Sequence, residues 1–358
     1  MIQILTIKLR LKDKHATELK RQARIVNFVW NYCNETQKKA VQADRKWLNY
    51  YDLCKLTAGA SKELNICSQT IQQVCGIYNQ SRSVSKKSWL RWRTSRSLGW
   101  VPFSTNYVKF DGSTFTFRKI KYQTMHLNPK LKPGIKIGVG SFNQDSRGRW
   151  YLNLSIQVEC AAEAVQDKIG IDLGLKHLAT LSDGRKIEAP QFYRKSEAKL
   201  ATAQRAKKSK RVRNIHAKIA NRRKDFLHKE STKLAKEYGL IVIGDVSSLK
   251  LAQTGMAKSV MDAGWSDFKR MIEYKSHLRA GRVLEVSEYL TTQTCSTCGT
   301  LPSSRPKGIA GLGIREWTCS DCGTVHDRDT NAAKNILRSR LATLVAGNTI
   351  FKLYSSRY

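Results

Sequence analysis

The sequence predicts an α/β domain with a mostly parallel sheet, joined to a small β-barrel that carries a helical insertion. Residues 2–10 alternate in hydrophobicity, as a half-buried strand does. Strand-like runs separated by Asp-Gly, Pro-Gly and Ser-Arg-Gly turns fill residues 100–160, so we expect both parts to form one barrel. Behind them, strands and helices alternate in the order typical of an α/β domain.

The helical insertion lies between the two barrel parts, at about residues 12–95. Apolar residues recur at helical spacing through residues 23–30 and 71–78. The second of these helices also carries Gln69 and Gln73, whose amides are able to read base edges in a nucleic-acid groove. A solvated helix face explains the same amides.

The α/β part opens with a predicted β-hairpin. Residues 168–174 and 178–181 form its strands, with Asp172 in the first. Residues 192–236 then hold sixteen Lys and Arg, and their apolar positions predict two long amphipathic helices joined near residues 207–210. A buried strand of the parallel type, a helix and another strand follow, at residues 239–245, 266–278 and 282–286.

The charge of the chain indicates a polyanionic partner. Of its 358 residues, 64 are Lys or Arg and 28 are Asp or Glu, which gives a formal net charge of +36. Phosphate backbones are the commonest partner of such proteins. The basic helices contain few balancing acids, so they predict a nucleic-acid track that includes Arg211, Arg213, Arg222 and Arg223.

A membrane surface is the rival explanation of the charge. The chain has no apolar run of about 18 residues, and its first residues alternate instead of forming the apolar block of a signal peptide. Five of the nine cysteines are scattered, which is typical of reduced thiols. We therefore expect a protein of the prokaryotic cytoplasm, associated with the nucleoid.

Four cysteines predict a zinc site. Two Cys-x-x-Cys knuckles place thiols where one tetrahedral ion could bind them all, at Cys295, Cys298, Cys319 and Cys322. The run from His326 to Asn335 then enters a helix with Asp329 near its first turn. A carboxylate directly behind a zinc clip suggests that the clip is a flap inserted beside an active site.

These motifs, in this order, resemble the TnpB family, transposon-encoded relatives of type V CRISPR effectors. Gly-Ile-Asp-Leu-Gly at 170–174, the basic hairpin that ends in Asn221-Arg-Arg-Lys-Asp-Phe-Leu-His228, the paired knuckles and the His-Asp-Arg-Asp run carry the resemblance. It extends over the whole chain. It implies a RuvC-like nuclease domain of the RNase H type with an inserted zinc ribbon, and a wedge-type β-barrel with an inserted helical recognition domain.

The resemblance divides the chain into seven segments. The first wedge part comprises residues 1–11, the recognition insertion residues 12–97 and the second wedge part residues 98–165. The first nuclease part comprises residues 166–290 and is followed by the zinc ribbon at 291–325. The second nuclease part comprises residues 326–340, and residues 341–358 form a tail.

The family implies an activity and its partners. A guide RNA encoded near the gene would direct cleavage of double-stranded DNA next to a short motif. A RuvC-like site uses Mg²⁺, usually two ions, because hard carboxylate oxygens bind it and the metals support phosphodiester hydrolysis. Asp172 and Asp329 match the family's outer acids.

The third acid of the family is absent from its usual place. It is a Glu at the end of the strand that here ends in Gly244-Asp245. Glu288 ends the next strand and is able to reach across one strand spacing of about 4.8 Å, into room that Gly244 leaves. We therefore predict Asp172, Glu288 and Asp329 as catalytic Mg²⁺ ligands. Glu285 or Asp245 as the third acid, or an inactive site, remain alternatives.

The resemblance also implies that the short DNA motif is read at the junction between the helical insertion and the barrel. Ser104-Thr-Asn106 would begin a barrel strand there, with Asn106 bonding adenine edges and Thr105 meeting a thymine methyl. A plain β-turn also explains Asn106. Four tryptophans interleave with Lys and Arg and suit either base stacking or core packing, namely Trp30, Trp89, Trp92 and Trp100.

Three functions fit the sequence. The first is an RNA-guided, Mg²⁺-dependent DNA endonuclease. The second is a repressor-like protein that binds DNA through the same RNA but does not cut it, and Gly244 motivates this alternative. The third is a strand transferase that acts alone, against which the lack of an evident helix-turn-helix argues.

Overall fold

A computed structural model describes residues 2–43, 47–161, 163, 165–246, 253, 257–308 and 310–345. Within them the chain divides into two compact units, residues 2–159 and the residues from 160 onward.

The first unit contains two antiparallel sheets. One has four strands in the order β1-β7-β6-β2, and the other has three in the order β3-β4-β5. The strands are β1 Ile2–Arg10, β2 Trp100–Phe103, β3 Val108–Phe110, β4 Phe115–Phe117, β5 Ile120–Tyr122, β6 Ile137–Gln144 and β7 Trp150–Glu159. Apolar side chains alternate along β7, where Leu152, Leu154 and Ile156 are buried.

The expected closed barrel is not formed by the described residues. β1 pairs with β7 over nine residues, and one isolated bridge joins Leu11 to Thr124 near β5. The three short strands form a sheet of their own, because left-handed backbone at Arg118 and Lys119 folds β5 directly back onto β4. The barrel prediction is therefore replaced by two open sheets.

The helical insertion is present between β1 and β2. Its helices are α1 Ala16–Gln42, α2 Tyr50–Leu56, α3 Ala60–Glu63 and α4 Ser68–Ser85. Leu19, Ala23, Val26 and Cys33 follow the helical period on the buried side of α1. These residues and those of the sheets form one hydrophobic core.

The second unit contains a five-stranded mixed sheet. Its order is β10-β9-β8-β11-β12, in which β8, β11 and β12 are parallel and the hairpin strands are antiparallel. The strands are β8 Lys168–Leu173, β9 His177–Leu181, β10 Lys186–Glu188, β11 Leu240–Gly244 and β12 Arg282–Val286. This hairpin followed by parallel strands is the sheet expected of an RNase H-type domain.

The described residues of this unit form five helices. They are α5 Glu197–Arg205, α6 Ser209–Glu237, α7 Ala257–Ala263, α8 Trp265–His277 and α9 Arg328–Val345. A small hairpin of β13 Glu316–Thr318 and β14 Val325–Asp327 precedes α9. Of the two long basic helices that were predicted, α6 is long, with 29 residues, but α5 has only nine. The junction lies where expected, because Lys207 has left-handed backbone and ends the first helix.

Candidate active site and zinc knuckles

The parallel strands bring three sequence positions to one edge of the sheet. Ile171 of β8 pairs with Ile243 of β11, so Asp172 follows beside Gly244. Gly244 in turn pairs with Val286 of β12, two residues before Glu288. The carboxyl ends of three neighbouring strands therefore meet at this edge.

Helix α9 brings Asp329 to the same edge. It crosses β8 at Gly170, where a Cβ atom would overlap the Ala333 carbonyl oxygen and lie 2.9 Å from Leu337 Cβ. Two strand residues span about 6.6 Å and four helical residues about 6 Å, so Asp172 and Asp329 lie at similar distances from this crossing. The glycine permits the close approach on which this alignment depends.

Glu288 occupies the space that Gly244 leaves open. A Cβ atom at Gly244 would overlap Oε1 of Glu288 and would lie 2.6 Å from its Cγ and 2.7 Å from its Cδ. The backbone N–H of Glu288 donates a 3.2 Å hydrogen bond to Asp245, which fixes the turn after β12. Glu285, the alternative acid on this strand, is exposed and pairs with Lys269.

The electrostatics of the cluster favour a bound cation. Burial, followed by the charges of Glu288 and Asp329, raises the pKa of Asp172 to about 8. Burial and the charge of Asp245 raise the pKa of Glu288 to about 7. Oε1 of Glu288 is buried and has no hydrogen-bond partner among the described residues. Hard carboxylate oxygens of this kind are the ligands that Mg²⁺ prefers.

Arg315 is a member of the cluster that the sequence did not indicate. Its guanidinium Nη1 lies 3.3 Å from both carboxylate oxygens of Asp329. It lies in the insertion that carries the knuckles, where no motif or period distinguishes it from other basic residues. Only the folded insertion shows that Arg315 faces Asp329 of α9.

The four knuckle cysteines form one cluster. Their sulfur atoms all lie within 4.8 Å of one another. The sulfurs of Cys295 and Cys322 are 3.6 Å apart, and those of Cys298 and Cys319 are 3.8 Å apart. Sulfurs around a tetrahedral zinc ion are separated by about 3.8 Å. The arrangement is therefore compatible with a structural zinc site.

The two knuckles have the same local structure. Each reads Cys-x-x-Cys-Gly-Thr, and each glycine has left-handed backbone that closes the turn. The Thr300 hydroxyl lies 3.1 Å from Cys298 Sγ, and the Thr324 hydroxyl lies 3.3 Å from Cys322 Sγ. These hydrogen bonds lower the pKa of both thiols, which favours the thiolates that zinc requires.

Polar residues link the knuckles to α9. His326 is buried, and its Nε2 lies 3.0 Å from Cys295 Sγ. Asn331 and Asn335, one helical turn apart, each donate to the carbonyl oxygens of Thr291 and Thr294 at 2.7–3.2 Å. The asparagines of the His-Asp-Arg-Asp run therefore clamp the loop that leads into the first knuckle.

Comparison with known proteins decides the family. A protein of Streptomyces pristinaespiralis, named "Putative RNA-guided DNA endonuclease", is 30% identical over 94% of this chain and 89% of its own length. This chain belongs to the TnpB family. InsQ of Escherichia coli K12, which carries the same description, is 30% identical to this TnpB-family chain over 57% of each.

Family models match two parts of the TnpB-family chain. The model described as "Probable transposase" matches residues 151–254, and the "Cas12f1-like, TNB domain" model matches residues 265–336. A solved structure of a Cas12f1-sgRNA-target DNA complex has a similar fold, with a TM-score of 0.61 and 12% identity over 94% of this chain and 98% of that chain.

The residues predicted to read a DNA motif are accessible. Gln69 and Gln73 are half-buried neighbours on α4, and Thr105 and Asn106 are exposed. The latter pair does not begin a strand, as the sequence suggested, but forms the turn between β2 and β3. Asn106 has left-handed backbone, which asparagine tolerates better than most residues.

The predicted basic residues lie on α6. Arg211, Arg213 and Arg222 are exposed. Arg223 is half-buried, and its guanidinium donates a 2.8 Å hydrogen bond to the Met261 carbonyl oxygen of α7. Arg223 therefore also holds a neighbouring helix.

Among the described residues, every helix is too short or too polar to span a membrane.

Proposed function

We propose that this protein is an RNA-guided DNA endonuclease of a transposable element, which hydrolyses phosphodiester bonds of double-stranded DNA with Mg²⁺. The observation that carries the proposal is the convergence of Asp172, Glu288 and Asp329, with Glu288 in the space of Gly244. The relatives named RNA-guided DNA endonucleases support the choice of reaction and of guide.

The chain's own residues suggest how the site would act. Asp172, Glu288 and Asp329 would hold Mg²⁺, which supplies activation of water and stabilisation of the leaving oxygen. Arg315 pairs with Asp329 and can exchange this carboxylate for a scissile phosphate, since a guanidinium binds carboxylate and phosphate oxygens alike. The four cysteines would bind zinc and keep the insertion folded beside the acids.

The partners are proposed from the relatives and from charge. A guide RNA encoded near the gene would bind the basic surface, including α6, and pair with one DNA strand. The solved Cas12f1 structure of similar fold contains an sgRNA and target DNA. Gln69, Gln73, Thr105 and Asn106 would contact a short DNA motif, while base pairing reads the remaining sequence.

The test is cleavage by the protein purified with RNA co-expressed from its flanking DNA. Matched target DNA and Mg²⁺ should give double-strand cuts. Glu288→Gln should lower the cleavage rate about a hundredfold or more, because several kcal/mol of metal-dependent stabilisation are lost. Glu285→Gln is the matched control on the same strand and should keep the rate within about threefold.

A second candidate function follows from Gly244. A repressor-like protein would bind the matched target tightly through its RNA and leave it intact. Tight binding without cutting by the unmodified protein would establish this function and reject the endonuclease. Equal loss in Glu285→Gln and Glu288→Gln would instead reject the special role of Glu288.

A further inference from the structure

We propose that Trp89 and Trp92 form a preorganised platform on which unpaired nucleobases of a single strand stack. This inference deepens the proposed function and rests on it, since it assumes a nucleic-acid partner. The platform belongs to the segment Trp89–Arg93, here called the tryptophan segment. It lies between α4 and β2 in the first unit and has no regular secondary structure.

Asparagines of α1 hold the backbone of the tryptophan segment. Asn34 accepts from the Leu90 N–H at 2.7 Å and donates to the Leu90 carbonyl at 2.8 Å. Asn31 brackets Arg93 in the same way, at 2.8 and 2.7 Å. These paired bonds fix both ends of an irregular segment that would otherwise be mobile, so its side chains have defined directions.

The four tryptophans of this region divide into two classes. Trp30 is buried, and the Arg93 guanidinium lies 5.5 Å from the Trp30 ring centroid and 5.4 Å from that of Trp100. These two rings therefore belong to the packing. Trp89 and Trp92 are 44% and 38% exposed, although the segment that carries them is pinned. Two neighbouring indoles that stay partly exposed on a fixed backbone offer an apolar surface that suits a partner.

The charge around the platform identifies this partner as a nucleic acid. Residues 64–110 contain seven Lys and Arg and no Asp or Glu. Exposed cations flank the indoles at Lys86, Lys87, Arg91 and Arg96. Lys38 Nζ lies 5.8 Å from the Trp89 ring centroid. Aromatic rings beside unopposed cations suit stacked bases joined by phosphates.

The segment also has the geometry of a strand-binding surface. The two indoles are three positions apart in the sequence, and an extended chain of this length spans at most about 10 Å. This distance suits one base, or the bases of two adjacent nucleotides, of an unpaired strand. Paired bases inside a duplex are already stacked and offer no free faces. RNA and DNA have the same stacking chemistry, so the test includes both.

The experiment measures binding of labelled 12-nucleotide oligoadenylate RNA, its DNA counterpart and an abasic DNA 12-mer to the full chain freed of nucleic acid. Trp89→Ala and Trp92→Ala should each weaken binding of base-containing strands about tenfold, the order of one lost stacking contact. Binding of the abasic strand should not change. Tyr51→Ala, which alters a 72% exposed ring of the same unit, is the matched control.

Several outcomes decide the proposal. Trp89→Phe should keep part of the affinity, and melting temperatures should match the unmodified protein because both indoles are exposed. A larger loss with RNA assigns the strand to the guide, and a larger loss with DNA assigns it to the target. Equal changes for abasic and base-containing strands, or no change, would overturn the platform. The assay uses no guide, target or Mg²⁺, so its failure is distinct from failure of the proposed cleavage.

Discussion

Gly244 and Glu288 are complementary residues on neighbouring strands. The glycine has no side chain to offer a metal, but its missing Cβ is the space in which the Glu288 carboxylate lies. A carboxyl group is thus supplied from β12 to an edge where β11 supplies none. The two positions have to be interpreted together, since either alone suggests a lost acid or an ordinary strand-end carboxylate.

Gly244→Ala tests this complementarity. The new Cβ would overlap Glu288 Oε1 and displace the carboxylate, so we expect Mg²⁺-dependent cleavage to fall about tenfold while binding of matched DNA persists. Gly76→Ala is the control, because its Cβ would lie at an ordinary 3.5 Å from Tyr50. Unchanged cleavage in Gly244→Ala would contradict the placement of Glu288.

An exchange of the two residues gives a stricter test. Gly244→Glu combined with Glu288→Gly moves the carboxylate back to β11 and should restore at least a tenth of the cleavage rate that Glu288→Gly alone removes. Cleavage of matched DNA measures the result. A double variant as inactive as the single one would mean that Glu288 does more than present a carboxylate.

Lys275 predicts a pH dependence of stability. It is buried on α8 and its ammonium donates to the His228 carbonyl, Ser231 and Thr232 of α6 at 2.6–2.7 Å. Burial lowers its pKa to about 8. Between that pH and the unfolded pKa of 10.5, the unfolded chain binds more protons, so stability rises with pH.

Lys275→Met, which keeps much of the stem, should lack this rise. The free energy of unfolding of the unmodified protein should increase relative to the variant by roughly 3 kcal/mol between pH 8 and 10.5. Urea unfolding across this range measures the difference. Parallel pH profiles of the two proteins would show that Lys275 titrates as it does in the unfolded chain.

At the scale of elements, β14 and α9 join the knuckles to the acids. β14 carries His326 beside Cys295, and α9 begins at the next residues and carries Asp329. Asp327 between them accepts from the Thr330 N–H at 2.9 Å, which caps the helix. Asp329 therefore lies only three residues after His326, so the folded knuckles help to fix its position.

His326→Ala should therefore weaken zinc binding about 10- to 100-fold, as loss of a partner of a metal ligand commonly does. Chelator competition measures the affinity, and the visible spectrum of the Co²⁺-substituted protein reports the change at the thiolates. His326→Gln, which keeps an N–H donor, should recover part of the affinity. His216→Ala, an exposed change on α6, serves as the control. Equal zinc affinity in His326→Ala would contradict the link.

At the scale of the whole molecule, the net charge of +36 predicts that binding of the proposed nucleic-acid partner weakens steeply with salt. The slope of log K against log salt is negative, and each phosphate contact that is lost should reduce its absolute value by about 1. Arg211→Gln and Arg222→Gln on α6 should each do so if they contact the backbone.

The slope is measured by titration of guide-sized RNA at several salt concentrations. Arg270→Gln is the control, since Arg270 is an exposed cation already paired with Asp267 at 2.8 Å. A slope that stays the same in Arg211→Gln and Arg222→Gln would place the track on another surface.

The sequence predicted the elements better than their assembly. The helical insertion and the parallel strands follow from local periodicity, because each buried face repeats along its own element. The barrel prediction was wrong, since closure depends on which strand edges meet across more than a hundred residues. The length of α5 was overestimated at its start, since residues Arg194–Ser196 form a 3-10 turn and α5 begins only at Glu197, whereas its end near Lys207 was expected.

By itself the sequence determined the family, the large excess of positive charge and the four-cysteine cluster. These depend on composition and on residues near one another in the chain, where spacing fixes geometry. Only the tertiary structure decided that Glu288 fills the space of Gly244, that Arg315 faces Asp329, and that Trp89 and Trp92 are exposed while Trp30 is buried. The physical reason is that such contacts join residues on separate elements, and strand register and helix crossing determine which side chains meet.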